Sequence, residues 1–154
     1  MRVRDVMSVP AATVTPDDSL HVADGTMSLG RVRHLAVQSG PHLVGVISER
    51  DILRAPSART PVDGLAVDAR ALLRVLRVAD AMSSPVITIA ADAPVAEAAA
   101  LLLRHRVGCL PVLEDGSLAG IVTTSDLLRA IERRHAPGDG PSPAAAAQIM
   151  RLMG

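Results

Sequence analysis

The stretch Gly120-Ile121-Val122-Thr123-Thr124-Ser125-Asp126-Leu127-Leu128-Arg129-Ala130 has a second copy upstream, Gly45-Val46-Ile47-Ser48-Glu49-Arg50-Asp51-Ile52-Leu53-Arg54-Ala55. Extending the match backwards sets residues 3–55 on residues 78–130 without a gap. Val3, Asp5, Met7, Ser8 and Pro10 recur as Val78, Asp80, Met82, Ser83 and Pro85, and Arg31, Val32, Leu35 and Val37 recur as Arg106, Val107, Leu110 and Val112. Two copies fall short of a solenoid, so the chain has to fold as two units packed on each other with approximate two-fold symmetry. Either copy alone would be marginal, whereas 154 residues together suffice for a proper hydrophobic core.

Each copy carries the same order of local signals. The apolar segments Ala12-Thr13-Val14 and Val86-Ile87-Thr88-Ile89 read as short first strands. Asp92-Ala93-Pro94 announces a helix through Val95 to Leu103, with an acid near its start and proline in its first turn. The counterpart, Leu20 to Leu29, carries Gly25 and is flanked by Gly30, each glycine weakening a helix by about 1 kcal/mol. Two apolar runs then flank Asp115-Gly116, a strong hairpin signal, with Ser39-Gly40-Pro41-His42 at the same place in the first copy. Each unit therefore reads β-α-β-β-α, an α/β (α+β) class. The expected organisation is a first repeat over 1–55, a connecting segment over 56–77, a second repeat over 78–134 and a tail over 135–154. The connecting segment opens turn-rich at Pro56 and becomes helical from Asp68; the tail is expected to be flexible, a Pro/Gly spacer followed by an apolar stretch over 144–153 that is marginal as a helix unless it docks on a partner.

Composition removes several function classes. Apolar residues make up 49% of the chain, yet Phe, Tyr and Trp are absent, so no aromatic platform exists for stacking nucleic-acid bases. Every one of the 16 cations is arginine, which leaves no catalytic lysine but supplies bidentate recognition of phosphate or carboxylate. A net charge of zero without a like-charge run argues against nucleic acid or membrane as partners. The lone Cys109, with no leader and no long apolar run, points to a reducing, cytoplasmic location. No nucleophile elbow, Walker loop or His-x-x-x-His spacing occurs, so an enzyme is not expected. The scattered His34, His42 and His105 lack metal-ligand spacing, and no metal site is expected.

At the end of each second hairpin strand stands Ser/Thr-x-x-Asp, Ser48 to Asp51 and Thr123 to Asp126. Such a pattern caps a helix, the hydroxyl accepting from an amide while the acid favours the positive end of the dipole. A helix start with free amides and a hydroxyl also suits an anion. Taken with Val-x-Asp-x-Met-Ser-x-Pro and Arg106-Val107-Gly108-Cys109-Leu110-Pro111-Val112, each copy resembles a cystathionine-β-synthase (CBS) domain, and the pair resembles a Bateman module. The resemblance implies two units packed through their sheets. It also implies up to two clefts for AMP, ADP, ATP or S-adenosylmethionine, and association of two chains as a homodimer.

On that resemblance Asp51 and Asp126 correspond to ribose-binding acids, and Ser48 and Thr123 to hydroxyls near phosphate. Arg33, His34 and Arg50 stand where phosphate cations are expected, whereas Gly108, Cys109 and Ser125 occupy the matching places in the second copy. The Asp51 cleft is therefore the one expected to hold a phosphorylated ligand. Its adenine walls would be Val86, Ile87 and Thr88, borrowed from the other repeat, with Ala12, Thr13 and Val14 serving the other cleft. The implied function is a non-catalytic regulatory module that signals ligand binding to an effector protein; the alternative is a structural dimerisation module with no nucleotide ligand.

Overall fold

The computed structural model describes residues 1–58 and 68–134. Most of the turn-rich opening of the connecting segment and all of the tail, expected to be flexible, lie outside the described residues. The first unit comprises β1 (Thr13–Val14), α1 (Leu20–Gly30), β2 (His34–Ser39), β3 (His42–Ser48) and α2 (Glu49–Ala58). Two helices follow, α3 (Ala69–Val75) and α4 (Val78–Ala81). The second unit comprises β4 (Ile89–Ala90), α5 (Val95–His105), β5 (Cys109–Glu114), β6 (Ser117–Thr123) and α6 (Thr124–Arg134). Each unit forms one three-stranded sheet, in which a short parallel strand lies beside an antiparallel hairpin.

The β-α-β-β-α order expected of both copies is the order observed. At the second hairpin, Asp115 and Gly116 both take positive φ, +50° and +78°, the conformation that an Asp-Gly turn favours. In α1 the Gly25 penalty is offset locally. Ser19 caps the helix by accepting from the Val22 amide, and Leu20, Ala23 and Met27 bury one face, so α1 equals α5 in length. Both helices end on an arginine in the left-handed region, Arg31 at φ +52° and Arg106 at φ +53°, where glycine is the commoner residue. Helix α2 runs past the expected turn to Ala58.

The first strand of the second unit is displaced from its expected place. It was expected over 86–89 but forms at Ile89–Ala90. Ser83 is tied to β3 of the first unit, its N–H donating to Val46 O at 2.8 Å and its carbonyl accepting from Val46 N at 3.2 Å. The chain must then cross between the sheets before β4 can pair, and the residues after Pro85 make that crossing.

That bridge belongs to a mutual exchange. Val3 and Val6, at the head of the first copy, are buried with Ile89, Leu102, Leu110 and Leu127 in the core of the second unit. Leu76, at the end of the connecting segment, and Val78, at the head of the second copy, are buried with Leu20, Leu35, Ile47 and Ile52 in the core of the first. Gly45 and Gly120 make room for the crossing segments. A Cβ on Gly45 would stand 2.6 Å from Met82 Sδ, and one on Gly120 would stand 2.7 Å from the Ser8 carbonyl oxygen. These recurring glycines are close-approach residues, placed where the other unit's Met-Ser segment lies on the strand.

Candidate functional site

A cleft of about 550 Å³ opens between the units around the start of α2. The first unit contributes Arg33 and His34 from the start of β2, Val46 and Ser48 from β3, and Glu49, Arg50, Asp51 and Arg54 from α2. The second contributes Ser83, Pro85, Val86 and Ile87 from the crossing segment, Arg106 through Gly108 from the turn between α5 and β5, and Cys109 from the start of β5.

Asp51 is fixed by the capping arrangement that its spacing from Ser48 predicts. Its Oδ2 accepts from Ser48 N at 2.8 Å and from the Ser48 hydroxyl at 2.8 Å, while its own amide donates back to Ser48 Oγ at 3.2 Å. Of the first three amides of α2, that of Glu49 donates to the Arg33 carbonyl at 2.9 Å. The Arg50 amide is thus the one of the three that meets no acceptor among the described residues. Asp51 Oδ1 takes no hydrogen bond among the described residues, so one carboxylate oxygen of a rigidly held side chain is available to the cleft.

The second copy repeats the cap but not the availability. Asp126 Oδ2 accepts from Thr123 N at 2.9 Å and from Thr123 Oγ1 at 2.7 Å, and Asp126 is only 7% exposed. Its Oδ1 is engaged by Arg129 at 3.4 Å. Arg54 is the repeat counterpart of Arg129, three residues after Asp51, yet it lines the cleft without pairing to Asp51. The same spacing thus closes one carboxylate and leaves the other open.

His34 and Cys109 occupy equivalent positions in the two copies and meet in this cleft. The imidazole lies so close to the neighbouring turn that a Cβ on Gly108 would be 2.8 Å from His34 Nε2. Burial lowers the His34 pKa, opposed by the Asp51 charge; Arg33 lowers it further and Glu49 opposes. Burial, reinforced by the Asp51 charge, pushes the Cys109 thiol up to about 12. A lowered imidazole pKa and a raised thiol pKa leave charge recognition in the cleft to the arginines and to the carboxylates of Asp51 and Glu49.

The structure brings together Asp51, Ser48, Arg33, His34, Arg50, Val86 and Ile87 as the sequence suggests. Thr88 falls outside; it lines a separate cavity of about 530 Å³ with His42, Leu113 and Leu118, whereas Pro85 and Val86 of the crossing segment border both cavities. Gly108 and Cys109, expected beside Asp126, lie next to its cap, the Gly108 carbonyl accepting from the Thr124 amide at 3.1 Å and Cys109 pairing with Thr123, and they border the Asp51 cleft as well. Ala12, Thr13 and Val14 line neither cavity: Val14 is buried in the first core with Ala12 packed against it, and Thr13 is exposed. Sequence reasoning missed Arg54, Arg106 and Val46. The recurrence of Arg-Val at 31–32 and 106–107 was the available signal for Arg106, but it does not say which cleft receives it. Among the described residues no group of three His, Cys, Asp or Glu side chains is placed to hold a metal ion, and no helix is long and apolar enough to cross a membrane.

Two β-α-β-β-α units exchanging their head segments around a capped aspartate define a tandem CBS domain pair, and the chain belongs to the CBS domain family, whose model matches residues 3–58 and 78–133. A CBS domain-containing protein of Dictyostelium discoideum is 36% identical over 129 residues, covering 82% of this chain and 88% of that one. An uncharacterized 33.4 kDa protein in a ribosomal RNA operon of Thermofilum pendens is 30% identical over 133 residues; these cover 86% of this chain but 44% of that protein, so the chain spans less than half of its length. The CBS domain pair of protein MJ0100, solved with 5′-methylthioadenosine and S-adenosyl-L-methionine, superposes with a TM-score of 0.73 at 25% identity, covering 87% of this chain and 98% of that one.

Proposed function

We propose that this CBS pair is a non-catalytic regulatory module that binds an adenosine-containing ligand in the Asp51 cleft and signals its presence to a partner protein. The observation that carries the reading is Asp51 itself. One carboxylate oxygen is anchored by Ser48 and the other is open to a cleft walled by Val46, Val86 and Ile87. A carboxylate can accept from both ribose hydroxyls, and aliphatic walls suit a purine where no aromatic ring is present. The relative that binds adenosine derivatives has the same fold across nearly its whole length. Because both units line the cleft, a ligand there contacts both and favours whichever arrangement of the two it fits better, which is what a regulatory signal requires.

The site's own chemistry favours regulation over catalysis, since the cleft thiol is held protonated and the Ser48 hydroxyl bonds its own aspartate. A homodimer in the cytoplasm completes the proposal: Leu53 and Leu128, at equivalent places on α2 and α6, are 71% and 61% exposed and offer apolar surface to a second chain.

Calorimetric melts with AMP, ADP, ATP and S-adenosylmethionine test the reading. A ligand at 100 times its Kd adds about 2.7 kcal/mol of stability. Asp51→Asn removes that shift, whereas Asp126→Asn, which perturbs the equivalent cap, leaves it. If no ligand shifts the melt, the cleft is not a nucleotide site and the module is a structural dimer.

A further inference from the structure

Four arginines line the Asp51 cleft, Arg33, Arg50, Arg54 and Arg106, against the two carboxylates of Glu49 and Asp51. The chain as a whole is formally neutral, so positive charge is concentrated here rather than inherited from the overall composition. The ion pairs among the described residues are Arg4 to Glu114, Arg77 to Asp17 and Arg129 to Asp126; none of the four cleft guanidiniums takes part. None of the four side chains donates a hydrogen bond among the described residues either. Each keeps a planar fork of donors suited to phosphate oxygens, and like charges in a concave site reinforce one another's attraction for a polyanion. Three of them come from the first unit, and Arg106 comes from the second.

We propose that the Asp51 cleft selects adenosine ligands bearing two or more phosphates over uncharged or cationic ones, with Arg106 contacting the phosphates from across the interface between the units. The proposal rests on the reading of Asp51 as the ribose acid and adds the ligand's charge class and the residue that makes it bridge the units. S-adenosylmethionine brings a sulfonium and an ammonium against a single carboxylate, so its net charge has the same sign as the arginine excess. A nucleoside di- or triphosphate brings the opposite sign, and each added phosphate gives another arginine a partner.

The backbone at Arg106 provides a clean test. At φ +53° an arginine is strained and glycine is not, so Arg106→Gly deletes the charge while relieving the backbone. Arg31→Gly is the matched control, because Arg31 has φ +52° and lies outside the cleft. Isothermal titrations of the full chain with ATP, ADP, AMP, S-adenosylmethionine and 5′-methylthioadenosine are expected to rank affinity by phosphate number, ATP and ADP above AMP and AMP above the other two. Arg106→Gly weakens ATP by about tenfold or more, the loss of one charge-assisted contact. It leaves 5′-methylthioadenosine unchanged, and Arg106→Lys recovers part of the loss. Raising the salt weakens ATP more than 5′-methylthioadenosine. S-adenosylmethionine or 5′-methylthioadenosine binding as tightly as ATP overturns the charge class but leaves the adenosine reading intact. Tight ATP binding that is indifferent to Arg106→Gly overturns the bridging role. If none of the five ligands binds, the proposal falls together with the reading on which it rests.

Discussion

Replacing Gly120 by alanine probes the exchange of head segments at its tightest point. The new Cβ would meet the Ser8 carbonyl oxygen at 2.7 Å and Met7 Sδ at 3.0 Å. The sulfur can swing away on its side chain, but the carbonyl cannot move without the backbone. Ser8 is held by two hydrogen bonds to Ile121, 2.9 Å and 3.1 Å long, and the same segment anchors Val3 and Val6 in the second core. Overpacking of this kind costs about 1–3 kcal/mol, and weakening two hydrogen bonds adds about 1 kcal/mol. A loss of about 3 kcal/mol is expected, which lowers Tm by roughly 10 °C in a chain of this size. Gly45→Ala is milder, about 1.5 kcal/mol, because its nearest obstacle is Met82 Sδ at 2.6 Å and its backbone obstacle, Ser83 O, is 3.2 Å away. Gly25→Ala inverts the sign: nothing lies within 4 Å, the residue is mid-helix, and alanine stabilises by about 0.5–1 kcal/mol. Denaturant melts followed by far-UV circular dichroism read all three, since the chain has no aromatic residue to report by fluorescence. If Gly120→Ala melts with or above the parent, the close approach of the head segment is wrong.

Two further outcomes concern the cleft's titratable groups. The folded state binds a proton at His34 less readily than the unfolded chain, whose histidines titrate near 6.5. Below that value the unfolded state therefore carries more protons, so stability is complete above about pH 6.5 and declines as the pH falls through it. Melts between about pH 7.5 and 5.5 should show this decline, and His34→Gln should flatten it; an unchanged slope refutes the assignment. Cys109, buried and raised to about 12, should react with iodoacetamide at pH 8 at least about a hundredfold more slowly in the folded chain than in guanidinium, as followed by mass spectrometry. Rapid labelling of the folded protein would mean that the thiol is open to solvent.

The fold was legible because its signals are local and occur twice. Asp115-Gly116 marks a hairpin wherever it falls, Ser48 and Asp51 cap a helix through groups three residues apart, and Asp92-Ala93-Pro94 announces α5 without reference to any partner. The exchange was not legible for the converse reason. Val3 and Val78 are equally apolar, and nothing in the alternation of a strand or the period of a helix records which unit's core a residue enters. The site divides in the same way. Asp51, Arg33, Arg50 and His34 are continuous with elements readable in sequence, whereas Arg106 joins them only because two units face each other. Arg54 and Arg129 show the limit most directly, being the same residue at the same spacing from the same aspartate. One closes its carboxylate at 3.4 Å and the other does not, and the difference lies in what surrounds them.

The crossed head segments also bear on how such a chain could arise. Each half supplies the other with the valines that complete its core, Val3 and Val6 in one direction and Val78 in the other. A half-length ancestor would have had the same need and could have met it only from a second copy of itself, by swapping heads in a symmetric dimer. Fusion of two such copies makes the swap intramolecular, and the tether then sets the concentration of the missing half, whatever the abundance of the protein. Once joined, the halves are free to diverge: one keeps its aspartate open among arginines while the other, still needed as its structural complement, ties its aspartate to Arg129.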